Sequence, residues 1–263
     1  MRDPLLPLLP GPQDADRPWL ICYGIDERVE LTGHVLSMWL AKIAGFVTSE
    51  SVPGDGVHVA LPPHWRSVAW ACGTWLAGRS VLLGSNEEIR TAGLIPELSV
   101  AFTPESLYDE AEAQVLVPPA SLALRWPEEL PALVLDGAAD LMHYPDRFTP
   151  VSTAADSVCL TDLTSEAAAP AAPGAPGGTA PSGGRLTVLT RAQLAARIEA
   201  ADAPAGSGRH SASRAVLVRS PDTAQMLQEV LVAWRTGRTA VVLTPEADDD
   251  VAAAAIRQEG ITA

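Results

Sequence analysis

Among the 18 basic residues of this 263-residue chain a single lysine, Lys42, stands in a field of arginines. Any mechanism that needs an ammonium, to neutralise a phosphate or to act as a nucleophile, has this one candidate. Lys42 lies between Ala41 and Ile43, outside any Gly-Lys-Ser/Thr run, so a Walker A loop is excluded. His58 and His64 flank a predicted strand six positions apart, with no third residue at metal-ligand spacing, and read as hydrogen-bonded histidines rather than a metal site. Cys22, Cys72 and Cys159 form no Cys-x-x-Cys pair; each has apolar neighbours and reads as a buried, reduced thiol. Asp136 and Asp140 follow a predicted strand at the sheet edge where α/β proteins hold ligands, a position suggestive only by analogy. Asp248, Asp249 and Asp250 open a predicted helix, where the dipole accounts for them. No Gly-x-Ser-x-Gly elbow, His-Glu-x-x-His helix or Gly-x-Gly-x-x-Gly loop is present.

The elements that would position these groups alternate between two periods. Thr32 caps a helix whose apolar positions Leu36, Trp39, Leu40, Ile43, Phe46 and Val47 recur three to four apart. Pro53-Gly54-Asp55-Gly56 turns the chain into a strand over 57–61, which Pro62-Pro63 ends. A helix over 64–77 closes at Gly78, and a buried strand follows at 80–83. Ser85 or Asn86 caps the next helix, with Glu87 and Glu88 in its first turn. Within the second helix Trp65, Trp70 and Trp75 step by five, which predicts Trp65 and Trp75 on the sheet and Trp70 partly exposed. Further apolar runs at 98–102, 114–117, 133–135 and 157–160 read as strands. Beyond residue 185 the pattern resumes: strands at 186–189, 215–218 and 239–243, helices at 191–201, 223–235 and 246–258. Strand–helix alternation predicts an α/β fold with mainly parallel sheets flanked by helices.

Residues 166–184 hold seven Ala, five Gly and four Pro and no bulky apolar side chain, so they predict a flexible loop or linker. The expected organisation is a Pro-rich lead-in at 1–18, a first α/β lobe at 19–165, that linker, and a second, shorter lobe at 185–263. A formal charge of −14 opposes nucleic acid and anionic lipid as partners. No run reaches the length of a membrane span, and the lead-in, with four leucines against five prolines, lacks the makeup of a signal peptide. The expected location is cytoplasmic.

One segment occurs twice. Trp75-Leu-Ala-Gly78-Arg79-Ser80-Val81-Leu82-Leu83 returns as Trp234-Arg-Thr-Gly237-Arg238-Thr239-Ala240-Val241-Val242, with tryptophan, glycine, arginine and hydroxyl in register. Each copy spans a predicted helix end and the start of a buried strand, so one supersecondary unit is used twice. Its tryptophan packs on the sheet and its glycine closes the helix.

The order of these blocks resembles the front of the AMP-binding (adenylate-forming) superfamily of acyl-CoA synthetases, luciferases and nonribosomal peptide adenylation domains. The segments that carry the likeness are 27–32, then Pro53-Gly54-Asp55-Gly56-Val57 running to Trp65, then 75–83. More narrowly, the chain resembles short actinobacterial proteins of unassigned function that carry only this front portion. The resemblance implies two related lobes, an incomplete N-terminal domain, and a phosphate loop of the form T-S-G-T-T-G-x-P-K-G. The corresponding residues are Thr161-Asp162-Leu163-Thr164-Ser165-Glu166, resuming after the low-complexity segment at Arg185-Leu186-Thr187. Leu163 and Glu166 fill glycine positions, Asp162 and Glu166 add carboxylates, and Arg185 stands at the lysine position.

The family's later blocks and its catalytic lysine have no counterpart before Ala263, and Lys42 matches none of its lysines. The expected protein is therefore a non-catalytic relative, a binding or interaction module with no cofactor and no metal. Thr161, Thr164, Ser165 and Arg185 are its degenerate phosphate-loop positions. Two alternatives are a subunit of a split adenylate-forming enzyme and a small-molecule binding protein with a pocket between the lobes. Open sheet edges left by an incomplete fold predict a protein partner or self-association.

Overall fold

A computed structural model describes residues 3–14, 17–164, 186–202 and 213–262. Strands β1 (Pro18–Tyr23) and β2 (Arg28–Thr32) lead into helix α1 (Gly33–Glu50), followed by β3 (Val57–Ala60), α2 (Trp65–Leu76), β4 (Val81–Leu83) and α3 (Asn86–Ala92). Then come β5 (Leu98–Ala101), β6 (Ala113–Leu116), β7 (Val134–Asp136) and β8 (Val158–Asp162). After the low-complexity segment the chain forms β9 (Thr187–Thr190), α4 (Arg191–Asp202), β10 (Ala215–Val218), α5 (Thr223–Arg235), β11 (Thr239–Leu243) and α6 (Asp249–Gln258). The sheets have orders β7-β6-β5-β3-β4-β8-β9 and β10-β11-β1-β2, parallel throughout except where β9 meets β8 and β2 meets β1. The mainly parallel α/β architecture is the one the strand–helix alternation predicts.

Local chemistry sets the helix ends. The Thr32 hydroxyl accepts the Val35 N–H at the start of α1. Ser85, not Asn86, caps α3, in a reciprocal box with Glu88. Helix α6 begins three residues later than its pattern suggests, because the Asp248 carboxylate accepts the Val251 N–H and fixes Asp248 as the cap. Asp248 is thus a capping residue, with Asp249 and Asp250 in the positive first turn.

The sheets do not sort by position about residues 166–184. Strands β1 and β2 join β10 and β11, while β9 joins the larger sheet. Every residue of β11 is buried, so this strand needs a neighbour on each side; β10 supplies one and β1 the other, pairing Leu20 with Ala240. One hydrophobic core runs through α1, α2 and α5 and touches both sheets. The Pro-rich lead-in belongs to it: Leu5 and Leu9 are buried there, and the Asp3 carboxylate meets the Arg191 guanidinium at 2.6 Å with both side chains sealed from solvent. Trp70 is also buried, contrary to its predicted partial exposure. Helix α1 covers the side of α2 turned from the sheet, and Phe46 meets the Trp70 ring edge-on at 5.8 Å.

Candidate functional site

The C-terminal ends of β3, β4 and β8 face the turn between β10 and α5, which brings both sheets to one cleft of about 620 Å³. Open α/β folds hold ligands at such strand ends. Leu61, Pro62 and Pro63 form one wall, Gly84 to Glu87 another, and Pro221 to Ala224 close it from the smaller sheet. The Thr223 hydroxyl donates to the Leu61 carbonyl at 2.8 Å and ties the two walls.

The floor is rigid. His58 Nε2 lies 2.9 Å from the Gly84 carbonyl, which can only accept, so Nε2 carries the proton and Nδ1 accepts from the Ser99 hydroxyl at 2.9 Å. Ser99 Oγ in turn accepts the Tyr108 N–H. Burial pushes the His58 pKa down, so the ring stays neutral. Gly84 has φ +155°, and a Cβ there would sit 3.0 Å from the Leu163 Cβ.

His64 caps α2 by accepting the Arg66 N–H at Nδ1, and burial with the nearby Arg66 charge pushes its pKa down to about 4. The Arg66 guanidinium is buried over the Trp65 ring at 4.5 Å and donates to the Ala120 and Ser121 carbonyls. Burial lowers its pKa to about 10, which leaves it charged at neutral pH. Glu27 Oε1 accepts the Ser121 hydroxyl at 2.6 Å and joins the β1–β2 turn to this network. Both histidines therefore serve structure, and among the described residues no three His, Cys, Asp or Glu side chains converge as a metal site.

Thr161 and Thr164 part company. Thr161 is a ladder residue within β8, opposite Leu82 and Val188, and does not line the cleft. Thr164 does line it. Its N–H and its hydroxyl both donate to Asp162 Oδ1, at 3.0 and 2.6 Å. Leu163 turns inward to pack with Leu82, Ile89 and Tyr108. Ser165 and Arg185 lie outside the described residues, as do 166–184. Lys42 stands apart from the cleft in α1, donating to the Tyr144 carbonyl at 2.7 Å and pairing with Asp146. Asp136 accepts the backbone N–H groups of Trp126, Ala138 and Ala139, and Asp140 accepts that of Asp136, so this pair closes a turn. The three cysteines are free and buried, with burial raising the Cys22 and Cys159 thiols to about 12.

This arrangement has counterparts among solved structures. An acyl-CoA synthetase from Brucella canis superposes with a TM-score of 0.72 at 18% identity, covering 100% of this chain and 46% of its own. The fold is that of the front part of an adenylate-forming enzyme. Apo MatB from Rhodopseudomonas palustris gives a TM-score of 0.71 at 13% identity, over 98% of this chain and 48% of its own. The nonribosomal peptide synthetase FmoA3, in an AMPPNP-bound form, gives 0.60 at 20% identity, over 95% and 23%. The chain thus spans under half the length of these structures. By sequence, a Mycobacterium tuberculosis protein is 36% identical over 59 residues, 22% of this chain and 24% of that one. No family model matches. No helix among the described residues is long and apolar enough to cross a membrane.

Proposed function

We propose that this chain is a non-catalytic member of the adenylate-forming fold, a binding protein that does not make acyl-adenylates. One observation carries this reading: the donors at the end of β8 are already engaged by a carboxylate. A phosphate loop works by aiming free backbone N–H groups and hydroxyls at an anion. Here the Thr164 N–H and hydroxyl point at Asp162, and Leu163 between them packs into the core. A phosphate brought to that loop meets Asp162 as a like charge, worth about 1 kcal/mol of repulsion per unit pair at 4 Å even in bulk water. The described residues at the end of β8 do not fit a nucleotide phosphate. Lys42 cannot replace a phosphate-binding lysine, because its ammonium is tied to Tyr144 and Asp146.

The deciding experiment is isothermal titration of the purified chain with ATP-Mg and with AMP, beside an assay for acyl-adenylate formation. Silence to millimolar concentration and no adenylate are expected. Micromolar binding, or ATP-dependent adenylate formation by the chain alone, overturns the proposal.

A second reading is favoured by coverage: nearly all of this chain matches under half of each relative. It would then be one subunit of a split enzyme whose partner supplies the rest, and co-purification with such a chain is its test. The buried reduced thiols suit a cytoplasmic setting. At the β7 and β10 edges strand addition is not the favoured mode of association. Ser213 and Arg238 engage the outward Ala215 carbonyl of β10, while Asp140 and Pro131 engage the Asp136 and Val134 N–H groups of β7.

A further inference from the structure

We infer that the cleft between the two sheets binds an organic cation with an apolar body, such as a primary alkylamine, in preference to any anion. This deepens the binding-protein reading above and rests on it. The cleft itself defines the site: its volume of about 620 Å³ lies within the range of small-molecule pockets, and it sits at the carboxyl ends of parallel strands from both sheets.

Its lining sets the ligand class. Leu61, Pro63 and Ala224 supply apolar wall, and Glu87, Glu105 and Asp222 supply carboxylates. Among the described residues that line it there is no lysine, arginine or histidine. The cations nearby in the chain are engaged elsewhere. Arg219, two residues before the Pro221 wall, holds Asp249 at 2.7 Å. Arg66, three residues after Pro63 in sequence, donates to the carbonyls of Ala120 and Ser121. His64, beside Pro63, is held neutral by burial and by Arg66. An anion entering the cleft meets like charge from Glu87, Glu105 and Asp222 with no compensating cation among the described lining residues, whereas an ammonium head meets opposite charge and its tail meets proline and leucine. Asp222 also accepts the Gln225 N–H as the cap of α5, which fixes its position on the wall.

The test is a titration of the full chain at near-neutral pH and low salt with octylammonium, octanol and octanoate, which share a tail and differ in head charge. Octylammonium is expected to bind about tenfold more tightly than octanoate, with octanol between, and the gap should narrow as salt rises. In a Glu87→Gln/Glu105→Gln double variant most of the gap should vanish. Both side chains are exposed and neither caps a helix, so its unfolding midpoint reports whether the fold is intact. Octanoate binding as tightly as octylammonium overturns the ligand class while leaving the non-nucleotide reading standing. An unchanged preference in a folded double variant places the amine elsewhere and overturns the site, as does failure of all three probes to bind at millimolar concentration. Micromolar binding of ATP-Mg in the same cell overturns the reading beneath it.

Discussion

Trp75 and Trp234 make the same hydrogen bond in the two sheets. Each sits at the end of its helix and donates its indole N–H, at 2.8 Å, to a carbonyl on the strand beside the one that follows: Cys159 in β8 for Trp75, Trp19 in β1 for Trp234. The turns match as well. Gly78 and Gly237 have φ of +77° and +71°, and the N–H groups of Arg79 and Arg238 return to the Thr74 and Ala233 carbonyls. The nine-residue segment that recurs 159 positions later is therefore one helix–turn–strand device that anchors each helix to a strand distant in sequence.

Replacing either tryptophan by phenylalanine shrinks a buried ring and removes the indole donor from its strand carbonyl. Each change is expected to cost about 1–3 kcal/mol. Because the two anchors share no partner, the double variant should equal the sum of the singles to within about 0.5 kcal/mol. Urea unfolding measures all three. A large departure from the sum would mean that the anchors communicate.

The Asp3–Arg191 pair is the most deeply buried ion pair among the described residues, and Arg191 also donates to the Trp75 carbonyl. Asp3→Leu leaves a guanidinium charge unpaired in the interior and should cost about 3–5 kcal/mol. That is a large share of a typical domain's stability. Asp3→Leu combined with Arg191→Met removes both charges and should recover much of the loss. A double variant no more stable than the single would show that Arg191 matters for its backbone contacts rather than for Asp3.

His64 sets a pH dependence. Its folded pKa of about 4 lies below the ordinary 6.5, so the unfolded chain binds the extra proton. Its contribution to stability is complete above pH 6.5 and lost as pH falls toward 4, amounting to about 3 kcal/mol over that window. His58, also lowered by burial, adds in the same direction. Glu97, raised by burial, opposes them on the acid side. Stability measured against pH should decline across this range, and His64→Asn, which can still cap α2, should flatten the slope.

Gly84 tests the floor of the cleft. At φ +155°, with Leu163 where a methyl group would go, Gly84→Ala should destabilise by about 1–3 kcal/mol. Pairing it with Leu163→Ala removes the Cδ1 and Cγ contacts at 3.2 and 3.5 Å but keeps the Leu163 Cβ at 3.0 Å and the backbone strain, so thermal unfolding should show no recovery. A double variant more stable than Gly84→Ala alone would assign the cost to the outer part of the Leu163 side chain.

Much of this was legible in the residues. The capped helices, the buried strands after Gly78 and Gly237, and the repeat all rest on local grammar, which sequence carries directly. Sheet membership was not legible, because the pairing of β1 with β11 depends on burial across 220 residues rather than on anything near Leu20. The break in composition at 166–184 falls between β8 and β9, which are antiparallel neighbours in the larger sheet. The roles of Leu5 and Leu9 were hidden by the prolines around them, and that of Trp70 by a five-residue spacing that matters little in a helix covered on both sides. Of the site, Thr164 and its neighbour Asp162 could be found from the resemblance. The engagement of one by the other is a matter of side-chain rotamers and shows only in three dimensions.

The adjacency of β1 and β11 also imposes a timetable. Residues 18–23 are synthesised well before their parallel partner, which is 220 positions downstream. At ordinary elongation rates this leaves β1 waiting about ten to forty seconds. The larger sheet, whose strands β3 to β8 lie within 57–162, can assemble meanwhile. During that interval Trp19, Leu20 and Ile21 have no strand to bury them on the β11 side, so the nascent chain is open to aggregation, and to chaperone capture, through β1.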